Sequence, residues 1–184
     1  MRESNKKKLS NKLATVHGVL VEVRGTGVLI VGEAGIGKSE CALELLSRGH
    51  KLVADDAVVI QLTPSGTKGA APKLTQGFLY VRGLGAFRVA DVFGEGSLAP
   101  SCDVQLVVEL SRSSDAEIGS HLGPNFNTET ILETKFAKLT FPVRSGRNLA
   151  VVLETAVKIY ELWRTGNDAS GELATDLSLL LAQK

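Results

Sequence analysis

At residues 31–39 the sequence reads VGEAGIGKS, and the spacing of its glycines, lysine and serine is that of a phosphate-binding loop, or P-loop. Glycines let successive backbone N–H groups turn toward one phosphate, and the helix that follows adds its dipole. We expect Lys38 to reach the β- and γ-phosphates of a nucleotide and the Ser39 hydroxyl to bind Mg²⁺. The alternative is a glycine-rich turn whose lysine is merely exposed. The predicted nucleotide-binding residues are Gly32, Glu33, Ala34, Gly35, Ile36, Gly37, Lys38 and Ser39.

A P-loop needs a partner carboxylate, and the next β-rich run, residues 52–60, contains Asp55 and Asp56. Adjacent residues on a strand point to opposite faces. If both carboxylates serve the site, the backbone must turn at this pair, or the two must have separate roles. The alternative is an acidic pair that caps a strand at the surface.

Two arginines and a histidine are further candidates. Arg144 and Arg147 flank Gly146 in a predicted loop, where they suit the clamping of phosphate or the docking of an acidic partner. Exposed arginines are common in loops, so the pair alone does not decide between a functional and a structural role. His17 has no role that its sequence position alone would indicate.

The elements around these residues predict an α/β fold. We expect a central mixed β-sheet with the P-loop helix on one face and two C-terminal helices packed against the sheet or against a neighbour. The strand order does not follow from the pattern. Predicted strands are residues 18–23, 28–31, 52–60, 104–110 and 138–143, the first two joined by a hairpin turn; predicted helices are 39–47, 149–164 and 172–181; predicted loops are 63–77 and 111–134.

Length and composition bound the class of protein. The chain has 184 residues, enough for one domain, which we place at residues 13–184 after a disordered basic tail at 1–12. With 21 Lys plus Arg against 20 Asp plus Glu, the charge balance favours neither nucleic acid nor membrane as a partner. Without a signal-peptide core or a membrane-length apolar run, we expect a cytoplasmic protein. Cys41 and Cys102 have no metal or redox spacing and are expected to be reduced.

Several blocks in order together resemble one family. They are residues 15–21 (TVHGVLV), 32–40 (GEAGIGKSE), 48–56 (RGHKLVADD), 82–85 (RGLG) and 142–151 (PVRSGRNLAV). From about residue 13 to about residue 170, the chain resembles the catalytic domain of bacterial HPr kinase/phosphorylase. That family usually carries an additional N-terminal domain, so this sequence is similar to a short form.

The resemblance implies a bifunctional P-loop enzyme. It would use ATP and Mg²⁺ to phosphorylate a serine of HPr, the phosphocarrier of the sugar phosphotransferase system, or of a related carrier. In reverse it would remove that phosphate with inorganic phosphate and release pyrophosphate. Such enzymes are hexamers, which implies a homo-hexamer in which a neighbouring subunit helps to hold the carrier.

The resemblance also implies roles for the candidate residues. Lys38 would hold the transferring phosphate, and His17 falls on an active-site histidine. One of Asp55 and Asp56 would accept the serine proton and return it in the reverse reaction, while the other helps with metal; which does which stays open. We expect Asp56 and Ser39 to be the metal ligands. The segment from Arg144 to Arg147 matches a loop that the family needs for dephosphorylation.

The sequence departs from the family pattern at Tyr80 and His121. Tyr80 stands where the family has a metal-binding glutamate, and a neutral phenol cannot replace a carboxylate on Mg²⁺. The affinity for the metal would then be lower, unless Asp91, Glu95 or one of the aspartate pair compensates. His121 stands where the family has a catalytic arginine, so activity would rise as pH falls through the histidine range. These departures keep two alternatives open: a nucleotide-binding regulator that has lost phosphoryl transfer, and a small-molecule kinase.

Overall fold

The computed structural model describes residues 12–112, 126–144 and 146–166. Its helices are α1 (Lys38–Ser47), α2 (Val89–Phe93) and α3 (Leu149–Arg164), with a 3-10 turn at Glu95–Ser97. Its strands are β1 (Leu13–His17), β2 (Val19–Val23), β3 (Thr26–Gly32), β4 (Lys51–Ala54), β5 (Ala57–Thr63), β6 (Gly66–Ala70), β7 (Phe78–Val81), β8 (Gly85–Arg88), β9 (Cys102–Ser111), β10 (Asn127–Ile131) and β11 (Thr134–Pro142).

Most of these strands form one mixed, nine-stranded sheet. Its order is β1-β5-β6-β9-β3-β2-β4, and β11 pairs with both β9 and β10. Strand β9 runs parallel to β3 and to β11, with Val108 opposite Ile30 and Leu139, whereas the other pairings are antiparallel. The predicted mixed α/β sheet is therefore confirmed, and β7 with β8 forms a separate hairpin.

The central strands are buried on both faces, and alternation divides their side chains between two cores. Val28 and Ile30 of β3 face the core that holds α1 and α3, while Leu29 between them faces the opposite core. Leu45 of α1 and Leu153 of α3 are both fully buried on the helical side. The two helices therefore cover the same face of the sheet, and the curled β1, β5 and β6 edge helps to close the other.

This arrangement positions the phosphate-binding loop. Gly32 ends β3 in register with Leu110 near the end of β9. Ligands in open α/β sheets bind beyond the carboxyl ends of parallel strands. The loop at residues 32–37 leaves the sheet at that edge and enters α1 directly.

Several predicted elements differ from the observed ones. The run at 52–60 is two strands, β4 and β5, because the chain turns sharply at Asp55 and Asp56. The predicted loop at 63–77 contains β6, and the predicted loop at 111–134 contains β10. Strand β1 was not predicted at all. Most of the predicted tail, residues 113–125 with His121, and the predicted helix at 172–181 lie outside the described residues.

The described chain contains two cysteines, Cys41 and Cys102. Both thiols are free, and burial raises the pKa of Cys41 and of Cys102 to about 12, so each is protonated at neutral pH. None of the helices in the described part of the chain combines the length and apolarity needed to cross a membrane.

Candidate active site

The phosphate-binding loop depends on glycine at both of its ends. Gly32 has a φ of 141°, and a Cβ there would come within 2.5 Å of the Leu110 carbonyl oxygen. Gly37, with a φ of 108°, is the N-cap residue directly before α1. Both torsions lie where residues with a side chain are strained. The sequence therefore folds here into a loop that only these glycines permit.

Lys38 is held against this loop. Its side chain is only 7% exposed, and its ammonium donates to the carbonyl oxygens of Gly32, at 2.9 Å, and Glu33, at 3.0 Å. An ammonium has three donors. Within the described residues these two bonds leave one donor for a phosphate oxygen, in the position that the P-loop pattern predicts.

The pair Asp55 and Asp56 occupies a corner between β4 and β5. Asp56 has a left-handed φ of 65°, and the N–H of Ala57 donates to the carbonyl of Asp55 at 2.8 Å. This tight turn sends the two carboxylates to different sides. Asp55 is 6% exposed, whereas the Asp56 side chain is 79% exposed. The two carboxylates therefore differ in what they can contact.

Asp55 faces the first turn of α1. The Ser39 hydroxyl donates to Oδ1 at 2.9 Å, and the backbone N–H of Tyr80 donates to Oδ2 at 2.9 Å. Burial raises the pKa of Asp55, while these hydrogen bonds oppose the shift. An ionised carboxylate beside a hydroxyl is a hard oxygen pair of the kind that suits Mg²⁺.

The described part of the chain contains no group of three or more His, Cys, Asp or Glu side chains that could hold a metal. Mg²⁺ in phosphoryl-transfer sites typically takes one or two protein oxygens and fills its shell with waters and phosphates. Ser39 and Asp55 therefore fit this ion. Asp55 is the aspartate that accepts from Ser39, whereas the metal ligands expected from the resemblance are Ser39 and Asp56.

Asp56 instead pairs with His17. The imidazole Nδ1 lies 3.0 Å from the Asp56 carbonyl oxygen and 3.1 Å from its Oδ1. The register of β1 on β5, with His17 opposite Ala57, fixes this contact. The imidazole thereby orients an exposed carboxylate that an incoming molecule can reach.

These groups surround one cavity of about 170 Å³, which we call the phosphate cavity. It brings together His17, both aspartates and most of the predicted loop. Tyr80 and Arg82 also line it, and sequence reasoning gave neither an active role. The only sequence signal for Arg82 was its place in the block at residues 82–85. Lining residues are His17, Val19, Ala34, Gly35, Gly37, Lys38, Ser39, Glu40, Asp55, Asp56, Tyr80 and Arg82.

Other candidates lie outside the phosphate cavity. Arg144 and Arg147 do not line it, and the Arg147 guanidinium lies 6.0 Å from the centre of the Phe141 ring. Asp91 and Glu95 do not line it either. Arg112, which sequence reasoning did not single out, follows β9 and places Nη2 3.5 Å from the Gly35 carbonyl oxygen.

Known proteins are similar to this chain in sequence and in fold. The profile of the HPr Serine kinase C-terminal domain matches residues 7–177. HPr kinase/phosphorylase of Brevibacillus brevis is 45% identical over 166 residues, 88% of this chain and 53% of that protein. HPr kinase/phosphorylase of Geobacillus kaustophilus is 45% identical over 174 residues, 92% of this chain and 56% of that protein. The chain thus spans about half the length of these relatives.

A solved structure agrees. The Hpr(Ser) kinase/phosphatase from Coxiella burnetii superimposes with a TM-score of 0.80 at 34% sequence identity, covering 87% of this chain and 98% of that one. The profile match spans most of the sequence, and the superposition shows the same overall fold. The chain therefore belongs to the family of HPr serine kinase C-terminal domains.

Proposed function

We propose that the chain is a protein-serine kinase/phosphorylase that acts on an HPr-type phosphocarrier. It transfers the γ-phosphate of ATP to a carrier serine with Mg²⁺, and it removes that phosphate with inorganic phosphate, releasing pyrophosphate. The proposal rests on one observation: at the turn between β4 and β5, the carboxylates of Asp55 and Asp56 face different sides. Lys38, Ser39 and the buried Asp55 face the phosphate loop, while the exposed Asp56 and His17 face the approach of an acceptor.

In the kinase direction, Asp56 accepts the proton of the carrier serine as its oxygen bonds to the γ-phosphorus and the bond to ADP breaks. His17 holds the Asp56 carboxylate toward the acceptor. Lys38 binds phosphate oxygens at the loop. Ser39 and Asp55 would hold Mg²⁺, which when bound neutralises charge on the β- and γ-phosphates.

In the reverse direction, an oxygen of inorganic phosphate bonds to the phosphorus of phosphoserine, and the bond from that phosphorus to the serine oxygen breaks. Asp56 returns its proton to the serine oxygen. We assign the segment from Arg144 to Arg147 to this direction. Its support is the family resemblance together with the exposure of both arginines between β11 and α3.

Our assignment of the metal site departs from the expectation that Asp56 and Ser39 form it. The Ser39 hydroxyl is bonded to Asp55, and the backbone of Tyr80 holds the second oxygen of the same carboxylate. We therefore propose Asp55, rather than Asp56, as the carboxylate that binds the metal together with Ser39.

Tyr80 also supports one other candidate function. With a single carboxylate beside Ser39, the chain could bind nucleotide without transferring phosphate, as a regulator. A small-molecule kinase is less well supported, because Asp56 is 79% exposed and the cavities that it lines are open to solvent, whereas such a substrate requires an enclosed pocket.

The proposal includes the setting of the reaction. ATP and a phosphotransferase-system carrier are cytoplasmic reactants, so we expect the protein to act in the cytoplasm. We also propose a homo-hexamer, in line with the family resemblance. Neither nucleic acid nor membrane is part of the proposed reaction.

The deciding experiment is to incubate the protein with ATP, Mg²⁺ and an HPr-type carrier, and to follow the carrier by intact mass. One added phosphate that is lost again when inorganic phosphate replaces ATP supports the proposal. The Asp56→Asn variant is the control and should bind ATP without modifying the carrier. If the wild type binds ATP and modifies no carrier, the regulator function takes precedence.

A further inference from the structure

A second cavity, of about 450 Å³, adjoins the phosphate cavity and has a different character. The two share Ser39, Asp55, Asp56 and Tyr80. None of the loop residues 33–38 lines the second cavity. Besides the four shared residues, its walls are formed by Leu74, Thr75, Phe78, Leu79 and Ala86. We call it the hairpin groove, because β7 and β8 form much of its wall.

The walls of the hairpin groove are apolar and open to solvent. Along β7, Leu79 and Val81 are buried in the core, so the alternate residues Phe78 and Tyr80 face outward. The pairing of Tyr80 with Ala86 of β8 extends this face. Leu74 beside it is 89% exposed. Adjacent exposed apolar side chains of this kind mark binding surfaces more often than isolated ones do.

The position of the hairpin groove indicates which reactant it takes. Phosphoryl transfer is in line, so the donor and the acceptor lie on opposite sides of the transferring group. The phosphate cavity contains the loop and therefore takes the donor. The hairpin groove meets it at Asp56, the exposed carboxylate, and contains no loop residue before Ser39. A molecule that brings a hydroxyl to Asp56 from the far side must lie along this groove.

We propose that the hairpin groove is the acceptor subsite, and that it binds an exposed apolar side chain next to the acceptor serine of the carrier protein. This inference rests on the proposed function and specifies its substrate. The groove then selects among carrier serines, because the apolar side chain next to the serine is buried against Leu74 and Phe78. A serine without an apolar neighbour would be a poor acceptor even with its hydroxyl at Asp56.

The test changes Leu74 to serine and measures transfer from ATP to a purified HPr-type phosphocarrier. We expect the KM for the carrier to rise about tenfold, because a buried leucine side chain contributes on that order, while kcat and the KM for ATP stay unchanged. The Leu74→Met variant should keep the KM for the carrier within about twofold. Val92→Ser is the matched control: Val92 is 61% exposed and lines neither cavity, so its substitution should have no effect.

Two results in this assay would overturn the inference while leaving the proposed function intact. One is an unchanged KM for the carrier in Leu74→Ser. The other is a rise in the KM for ATP alone, which would mean that the groove stacks the nucleotide base.

Direct binding separates the two proposals. Calorimetric titration of the carrier into each variant needs no phosphoryl transfer. If the wild type transfers nothing, the proposed function fails, and the groove is judged by this titration. Binding that Leu74→Ser loses and Val92→Ser keeps supports the groove, and equal or absent binding overturns it.

Discussion

At the scale of single residues, one turn in the backbone gives two neighbouring carboxylates different chemistry. Asp56 adopts a left-handed conformation, and as a result Asp55 lies against Ser39 and Asp56 against His17. Asp and Asn enter that conformation more readily than most residues. The two aspartates therefore form the turn between β4 and β5, and they also supply its reactive carboxylates.

We expect Asp56→Asn to lower kcat for carrier phosphorylation by about 10²–10⁴, because the amide cannot accept the serine proton. The affinity for ATP should stay within about twofold, since Asp56 does not touch the loop. Initial rates by intact mass and nucleotide titration measure the two quantities. Equal kcat in variant and wild type would exclude Asp56 as the proton acceptor.

Asp55→Asn should raise the thermal stability of the ligand-free protein by a few degrees. The pKa of Asp55 is raised by burial, so its stabilising contribution is present below the unfolded pKa and is lost as pH rises through the folded pKa. At pH 7 the buried charge is therefore unfavourable, and an isosteric amide relieves it. Differential scanning calorimetry at pH 7 measures the change.

The same variant should lose the additional stabilisation that Mg²⁺ gives in the presence of ATP, because the charged ligand is gone. The gain in Tm without ligand and the loss of the Mg²⁺ increment form a joint signature. A variant that is less stable without ligand yet keeps the Mg²⁺ increment would contradict our assignment of Asp55.

At the scale of elements, side-chain contacts link α3 to α1 and to the residues that follow α1, on the face of the sheet that both helices cover. Glu154 of α3 accepts from the Arg48 guanidinium at 2.6 Å, and its Oε1 lies 2.7 Å from Nε2 of His50. Asn148, the N-cap of α3, contacts Glu44 of α1. This link fixes α1, and hence Lys38 and Ser39 in its first turn, relative to α3.

Glu154→Gln should lower the free energy of unfolding by about 1 kcal/mol at pH 7, a modest value because Arg48 is solvent-exposed. The hydrogen bond from Arg48, and then that from His50, lowers the pKa of Glu154 to about 2. A depressed pKa stabilises the fold above the unfolded value, and this contribution is lost as pH falls toward 2.

Urea denaturation of wild type and variant at several pH values measures this difference, which should shrink steadily between about pH 4.5 and pH 2. Glu133→Gln is the control, because it removes an exposed pair with Lys12 and should change stability by less than about 0.5 kcal/mol. A Glu154 difference that is the same at pH 7 and pH 3 would argue for lost packing instead.

At the scale of the whole molecule, the proposed site is open on its acceptor side. Asp56, the hairpin groove and the exposed arginines of the 144–147 segment can all be approached by a folded protein. Near its C-terminal end, α3 also exposes Leu162 and Trp163. Burial of such apolar side chains against another copy would favour association.

Because we propose a homo-hexamer from the family resemblance, we expect sedimentation velocity to give a hexamer at micromolar concentration. Leu162→Asp should shift the distribution to smaller species, because it would place a charge in an apolar contact. The melting of a dilute, dissociated sample should be unchanged by this exposed substitution. A wild-type monomer at all concentrations would contradict the proposed assembly.

Local sequence patterns were enough to predict the phosphate loop, the helix that follows it, α3 and the mixed α/β class. These features depend on local spacing. Positions 32 and 37 have backbone torsions that only glycine adopts without strain, and the apolar residues of the helices repeat with the helical period. Resemblance of the short blocks was enough to name the family that the comparisons then showed.

Which side chains meet at the site could not be predicted in this way, because it depends on how the chain folds in three dimensions. The break between β4 and β5, the pairing of His17 with Asp56, the hydrogen bond from Tyr80 to Asp55 and the place of Arg82 all depend on strand order and on one left-handed residue. Contacts between residues far apart in sequence follow from how the sheet closes, and local patterns carry little information about that closure.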